Sequence, residues 1–347
     1  MNQNQHKRSA FSGKIGFVLS AAGASVGLGN IWRFPYLAAK YGGGIFLLIY
    51  IILAFTFGYT MIMAETALGR MTRKSPVGAF HSFGTGELLS FGGWINAVIP
   101  MLIVPYYSVI GGWVIKYLAE YVMGHGEQLA ADGYFGNFIS SGASTEICFV
   151  LFTLFTVAII FGGVRNGVER VAKFMMPILV VLSVFIAVYS ISRPGAMAGV
   201  KYFLIPNFDN FSWMTVVAAI GQMFYSLSIA MGILITFGSY MKKDVSIEAS
   251  TENVEIFDTG IAIMAGLMII PAVFAFSGGD ASALGAGPSL MFITIPKVFA
   301  SIKMAEISLF LSKSAPSARE GAPKAFFDFL RRFPAPFCPE DSCPTGR

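Results

Sequence analysis

Charge is what this sequence has least of. Of 347 residues only 12% are charged and 55% are hydrophobic, with a mean hydropathy of +0.67, whereas soluble domains carry about 25% charged residues. That scarcity excludes an ordinary soluble domain and indicates an integral membrane protein. Cysteine is scarce too: Cys148, Cys338 and Cys343 make no disulfide framework. The three histidines, His6, His81 and His125, are scattered, so no metal site is read from them. The net charge of +5 does not point to nucleic acid, because the cations cluster in short loops and form no continuous stripe. An enzyme is poorly supported, with no nucleophile–base pair and no phosphate loop in view. Gly27-Leu-Gly29 lacks the strand and third glycine of a dinucleotide fingerprint.

What the chain has instead is apolar runs of about 20 residues, the length a helix needs to cross a bilayer. They fall near 14–38, 43–69, 91–122, 146–163, 171–191, 213–241 and 254–277, the first and sixth interrupted. Residues 15–31 could pass for a secretory signal with a basic flank, but they run on into Asn30-Ile-Trp-Arg33 and read as a retained first helix. Loop charge orients the spans. Lys7, Arg8 and Lys14, then Arg70, Arg73 and Lys74, Arg165, Arg170 and Lys173, and Lys242 and Lys243 all fall on one side. The alternate loops carry Glu120, Glu127, Asp132, Glu146, Asp209 and Asp280. The expectation is an all-α polytopic protein of the cell's inner membrane with a cytoplasmic amino terminus.

The interruptions carry the function. Gly23, Gly27 and Gly29 stand where a membrane helix would carry Leu or Ile, and Asn30 and Arg33 follow at once. Glycine costs roughly 1 kcal/mol relative to alanine in a helix interior, and a polar group at the bilayer centre costs more unless it has partners. A segment that accepts both is expected to break, freeing carbonyls and amides for ions and a small polar solute. The sixth span has a second such stretch, Gln222-Met-Phe-Tyr-Ser226-Leu-Ser228-Ile-Ala-Met-Gly232. Interrupted segments at matching places in two inverted halves mark a transport site. Each stretch alone has a plainer reading: Gly23-x-x-x-Gly27 is also a helix-packing motif, and Ser226 and Ser228 could bond back to their own helix.

After about Ala300 the character changes. Pro316, Pro323, Pro334, Pro336, Pro339 and Pro344 crowd the last stretch, with two of the cysteines, and no further span is long enough to cross a bilayer. The expected division is a core over 1–303, spans one to seven with a helical outer loop, and an unrelated, disordered tail over 304–347.

Gly23-Ala-Ser-Val-Gly-Leu-Gly-Asn-Ile-Trp-Arg-Phe-Pro35 with Gly42-Gly-Gly44 resembles the bacterial branch of the neurotransmitter:sodium symporter family. Further matches follow in the family's order: Glu65-Thr-Ala-Leu-Gly-Arg70, Tyr106-Tyr107 with Trp113, Gly167-Val-Glu-Arg170 with Met176-Pro177, Gly221 to Ser228, and Gly287 to Pro296. The resemblance covers about residues 8 to 303 and implies an inverted-repeat, leucine-transporter-type fold. That fold is incomplete here, truncated after about the seventh helix, with helices one and six broken.

The resemblance implies a first sodium site from the Ser25 carbonyl, Asn30, Ser226 and Asp258. Asp258 stands where many relatives have asparagine and implies that chloride is not required. A partial second sodium site is implied at the Gly23 and Val26 carbonyls, its other ligands belonging to helix eight. No other metal and no cofactor is implied. Substrate positions are implied at Ser25, Gly27, Leu28, Gly29, Ile103, Tyr107, Tyr225, Ser226, Ser228 and Met231. The Leu28 and Gly29 amides form a positive helix end for a carboxylate, and the freed carbonyls suit an ammonium. Gly27 stands where monoamine carriers have an acid, so an α-amino acid with an apolar or aromatic side chain is the expected substrate. Arg8, Arg33, Glu65 and Gln222 match gating and supporting positions. Arg8 and Arg33 are expected to lack their usual partners, leaving Arg33 to face water or destabilise the product. Glu65 is expected to bond the unwound part of the sixth span, and Ala230, replacing a glycine common in relatives, to reduce that unwinding. The expected partners are Na⁺, the amino acid and the lipid bilayer, with no nucleic acid. Sodium-coupled symport by alternating access, impaired by truncation, is the leading expectation. The alternative is a membrane fragment that transports nothing and only associates with other chains or is degraded.

Overall fold

The structure is a computed structural model that describes residues 10–27, 29–84, 86–279 and 290–297. All lie in one unit, Met1–Val298. Arg8, Leu28, Asp280, Gly287 to Ser289 and the expected tail fall outside the described residues.

Helices make up the architecture, and among the described residues the extended backbone pairs only at an isolated bridge, Gly43 with Pro206. The first span divides into α1 (Lys14–Ser25) and α2 (Gly29–Lys40), bent by 53°. Next come α3 (Gly44–Thr72), α4 (Glu87–Val122), α5 (Gly142–Phe161) and α6 (Val164–Ile191). The sixth expected span is α7 (Trp213–Ser226) and α8 (Ile233–Ser239), and α9 (Ile247–Ser277) follows. Five of these, α3 to α6 and α9, are each long and apolar enough to cross a membrane, and the bent α1–α2 pair makes six. The seventh expected crossing is the α7–α8 pair, helices of 14 and 7 residues about the interruption 227–232.

Helix ends run beyond the apolar runs that betray them. α9 starts at Ile247 rather than 254 because the Ser246 side chain caps it and Glu248 occupies its first turn, where an acid meets the positive helix end. α6 starts at Val164 rather than 171 through a π-helical turn, Val164–Val168.

Aromatic packing and close backbone contact position the breaks. The buried Phe34 of α2 meets Phe46 and Tyr50 of α3, with ring centroids 5.7 and 5.0 Å away, and Phe203 of the short helix Ala196–Leu204 at 6.3 Å. α8 lies directly on α3. A Cβ at Gly69 would stand 1.9 Å from the Ile235 carbonyl oxygen, and one at Gly238 would stand 2.3 Å from that of Thr66. Only glycine lets the backbones come so near. Tyr117 of α4 donates to the Phe292 carbonyl at 2.8 Å, tying that helix to residues 290–297.

Candidate functional site

The first break begins at Val26, whose φ of −72° and ψ of 101° leave the helix. α2 then opens with a π-helical turn, Gly29–Arg33. Among the described residues no main-chain N–H donates to the carbonyls of Gly23 or Val26. The second break is wider. Ser228, Ala230 and Gly232 adopt φ of 55°, 61° and 67°, a left-handed conformation costing an L-residue roughly 1–2 kcal/mol. Among the described residues no main-chain N–H donates to the carbonyls of Ser226 to Met231. The Ala230 amide instead donates to Glu65 Oε1 at 2.7 Å. The expected restraint on unwinding from Ala230 is therefore corrected: alanine takes the left-handed turn, with a carboxylate holding its N–H.

The two breaks meet at three fully buried side chains, Asn30, Ser226 and Asp258. Asn30 Nδ2 donates to Asp258 Oδ1 at 2.9 Å and to the Asp258 carbonyl at 3.2 Å. Ser226 Oγ lies 2.7 Å from Asp258 Oδ2 and 3.1 Å from Asn30 Oδ1. A hydroxyl has one proton and can serve only one of those two acceptors. The cluster is thus rich in oxygen and short of donors. Among the described residues no Lys, Arg or His pairs with Asp258. Ser226 does not bond back to its own helix, and the buried Ser25 hydroxyl has no partner.

Beside this cluster Tyr107 of α4 and Tyr225 of α7 share a hydrogen bond between their hydroxyls at 2.8 Å. The Tyr225 ring closes over Gly29, where a Cβ would meet it at 2.7 Å. Gly27 is open, with the Tyr107 hydroxyl 3.7 Å from its notional Cβ. Gln222 Nε2 donates to the Gly29 carbonyl at 3.0 Å.

Arg33, expected to lack its usual partner and so to face water, meets other groups instead. Its Nη1 donates to the Gly221 carbonyl at 3.1 Å, and its guanidinium lies 5.0 Å from the Tyr225 ring centroid. A main-chain carbonyl and an aromatic face take the place of an acid.

Ile103 is half-buried on α4, one turn before Tyr107. Met231 lines a cavity of about 390 Å³ with Asn96, Pro100, Met101 and Val104, and none of the other expected site residues is among its walls. Two buried polar groups near the cluster escaped the sequence reading. Tyr50 stands beside Asp258, Ser226 and Thr259, and Glu255 precedes Asp258 by one turn of α9. A tyrosine in an apolar helix gives no signal, whereas Glu255 was detectable as a carboxylate bounded by Val254 and Ile256.

The comparisons with known proteins are consistent with this geometry. A family model described as the sodium:neurotransmitter symporter family matches residues 8–125 and 137–312. The chain is 33% identical over 299 residues to an uncharacterized sodium-dependent transporter, YhdH, of Bacillus subtilis (strain 168), covering 85% of this chain and 65% of that protein. It is 29% identical to the sodium- and chloride-dependent taurine transporter of Rattus norvegicus, covering 84% of this chain and 54% of that one. A crystal structure of MhsT in complex with L-phenylalanine superposes with a TM-score of 0.78 at 36% identity, covering 86% of this chain and 68% of that chain. The chain therefore spans 65% of the Bacillus relative and about half of the rat transporter.

Proposed function

Because the chain belongs to the sodium:neurotransmitter symporter family, we propose that it binds Na⁺ and a small neutral amino acid between its two broken helices and carries them together across the cell's inner membrane. The reading places its amino terminus in the cytoplasm. The observation that carries it is the excess of buried oxygen where the breaks meet. Asn30 Oδ1, the Asp258 carboxylate and Ser226 Oγ have too few protons among them, and a hard cation takes oxygen ligands. The Ser25 carbonyl completes this sodium site in our reading. The carbonyls of Gly23 and Val26, free of main-chain donors among the described residues, contribute to a second. Asp258 brings its own negative charge next to Na⁺, so chloride is not needed.

The substrate carboxylate lies at the start of α2, where the Gly29 amide stands at the positive helix end. Tyr107 can give its proton to that carboxylate while Tyr225 donates to Tyr107, keeping the hydroxyl pair intact. The ammonium takes carbonyls near Ser25, Tyr225 and Ser228. Ile103, Tyr107, Tyr225 and Met231 favour an apolar or aromatic side chain, as does the L-phenylalanine bound by MhsT.

Titration calorimetry of the purified chain with L-phenylalanine tests this. Binding is expected in NaCl and in sodium gluconate, and its loss is expected when potassium replaces sodium. Asp258→Asn is expected to make binding depend on chloride. Equal affinity with and without Na⁺ overturns the proposal.

A further inference from the structure

Where α3 runs out, a cavity of about 800 Å³ lies against the start of α9. Its walls hold three charged residues, and all three are cations: Arg70, Arg73 and Lys243. The rest of the wall is apolar, with Ala64 and Met71 from α3 and Ile247 from α9 among it. Asp244 and Glu248 adjoin Lys243 and Ile247 in the chain, but both are exposed and, among the described residues, neither forms part of the walls. Like charges gathered on one cavity repel, so an anion between them is stabilised.

Two of the cations are set by the backbone. Arg70 donates to the Val245 carbonyl. A guanidinium has five N–H donors, so that bond leaves others for an oxyanion. Arg73 closes α3 in a left-handed conformation, with φ of 53° and its N–H on the Gly69 carbonyl at 2.8 Å. Glycine is the usual residue at such a helix end, and an arginine there accepts a conformational cost that glycine escapes. Outliers of this kind collect at ligand clamps.

The depth fits a lipid. The 29 residues of α3 extend about 44 Å at 1.5 Å each, against a hydrocarbon core of about 30 Å. The last turn, which carries Arg70, therefore reaches the level of the headgroups. Toward the middle of the span, Phe55 and Phe57 of α3 and Ile256 of α9 are exposed, an apolar surface fit to lie against acyl chains. A free anion gains nothing from Met71 or Ile247, whereas a phospholipid brings both an oxyanion and a hydrocarbon chain. Basic pockets between membrane helices recognise anionic headgroups in this way.

We propose that this cavity binds one anionic phospholipid, its phosphate held by Arg70, Arg73 and Lys243 and an acyl chain lying along Ala64, Met71 and Ile247. The site shares no residue with the Asn30–Ser226–Asp258 cluster and does not depend on which solute the chain carries.

Native mass spectrometry of the purified full chain, titrated with dioleoyl phosphatidylglycerol or dioleoyl phosphatidylcholine, tests it. One phosphatidylglycerol per chain is expected to be retained at concentrations at which phosphatidylcholine is not. Arg73→Gln combined with Lys243→Gln is expected to weaken retention about 30-fold, the equivalent of ~2 kcal/mol for two cations at an anionic surface. Both side chains are exposed, and the melting temperature checks that the double variant folds as the parent does. Arg165→Gln removes an exposed cation of another basic loop, outside the walls, and is expected to change nothing. Ala64→Trp fills the apolar wall from an exposed position without touching a charge, and it is expected to weaken phosphatidylglycerol several-fold. Equal retention of the two lipids overturns the proposal. Equal losses in Arg165→Gln and the double variant do so too, since the basic end as a whole would then hold the lipid. Displacement by inorganic phosphate, or full affinity in Ala64→Trp, overturns the phospholipid as occupant and leaves the cations serving a free anion.

Discussion

Gly29 is where a single atom decides whether the site can form. The Tyr225 ring occupies the place a Cβ would take, 2.7 Å away. That ring is held by the Tyr107 hydroxyl and by Arg33, so it has little freedom to withdraw. Overpacking of this kind costs roughly 1–3 kcal/mol, or about 5- to 150-fold in affinity. Gly29→Ala is expected to weaken L-phenylalanine binding by that factor in calorimetry while the chain still folds, and unchanged affinity would show that Tyr225 moves aside freely. At this scale the sequence is legible where a residue is costly in its setting. Asn30, Ser226 and Asp258 are polar groups in apolar runs, and the structure places them together. Glu255 meets the same criterion. Tyr50 is not legible, because only packing brings its hydroxyl beside Asp258. The support for Arg33 is hidden for another reason: a main-chain carbonyl, such as that of Gly221, has no sequence signature.

Elements are legible by period and length, and their irregular turns are not. The two interruptions are marked by glycine, asparagine and serine, but the π-helical turns Ala54–Gly58 (AFTFG) and Val164–Val168 (VRNGV) carry glycine too, so composition alone does not separate a break from an irregular turn. Nor does composition reveal what holds the second break open. Ala230 is kept left-handed, with its N–H on Glu65, a carboxylate reaching from α3. Removing that acceptor leaves a part-buried N–H unpaired, at a cost of roughly 1–3 kcal/mol. Glu65→Ala is therefore expected to lower the melting temperature and to speed amide hydrogen exchange selectively over residues 227–232. Exchange that rises equally across α7, α8 and α9 would mean that Glu65 supports the fold at large rather than this turn.

Over the whole molecule, the loop charges that orient the spans are brought to one end of it by direct contact. Lys242 donates to the Ser12 carbonyl at 2.8 Å, and Lys173 to the Ser12 hydroxyl at 2.9 Å. Arg70 donates to the Val245 carbonyl. The segment before α1, the start of α6 and the loop after α8 thus converge on Ser12. At their centre is Glu169, 1% exposed, which accepts from the Ser12 amide at 2.9 Å, from the Ser12 hydroxyl, and from Lys173 at 2.6 Å. Under the proposed transport function, any opening that moves α1 away from its neighbours would have to undo this clasp, because Ser12 is held by two of them. Each bond to a charged group contributes roughly 1.5–3 kcal/mol when buried, and the part-exposed Lys173 reduces its own share. Glu169→Gln should keep the shape and weaken the clasp. We expect it to raise the rate at which a cysteine introduced by Ser12→Cys reacts with a water-soluble thiol reagent, relative to Ser12→Cys alone. The Asn30–Ser226–Asp258 cluster lies beyond α1 and should still bind Na⁺. Equal reaction rates in the two backgrounds would show that Glu169 is not what holds this end shut.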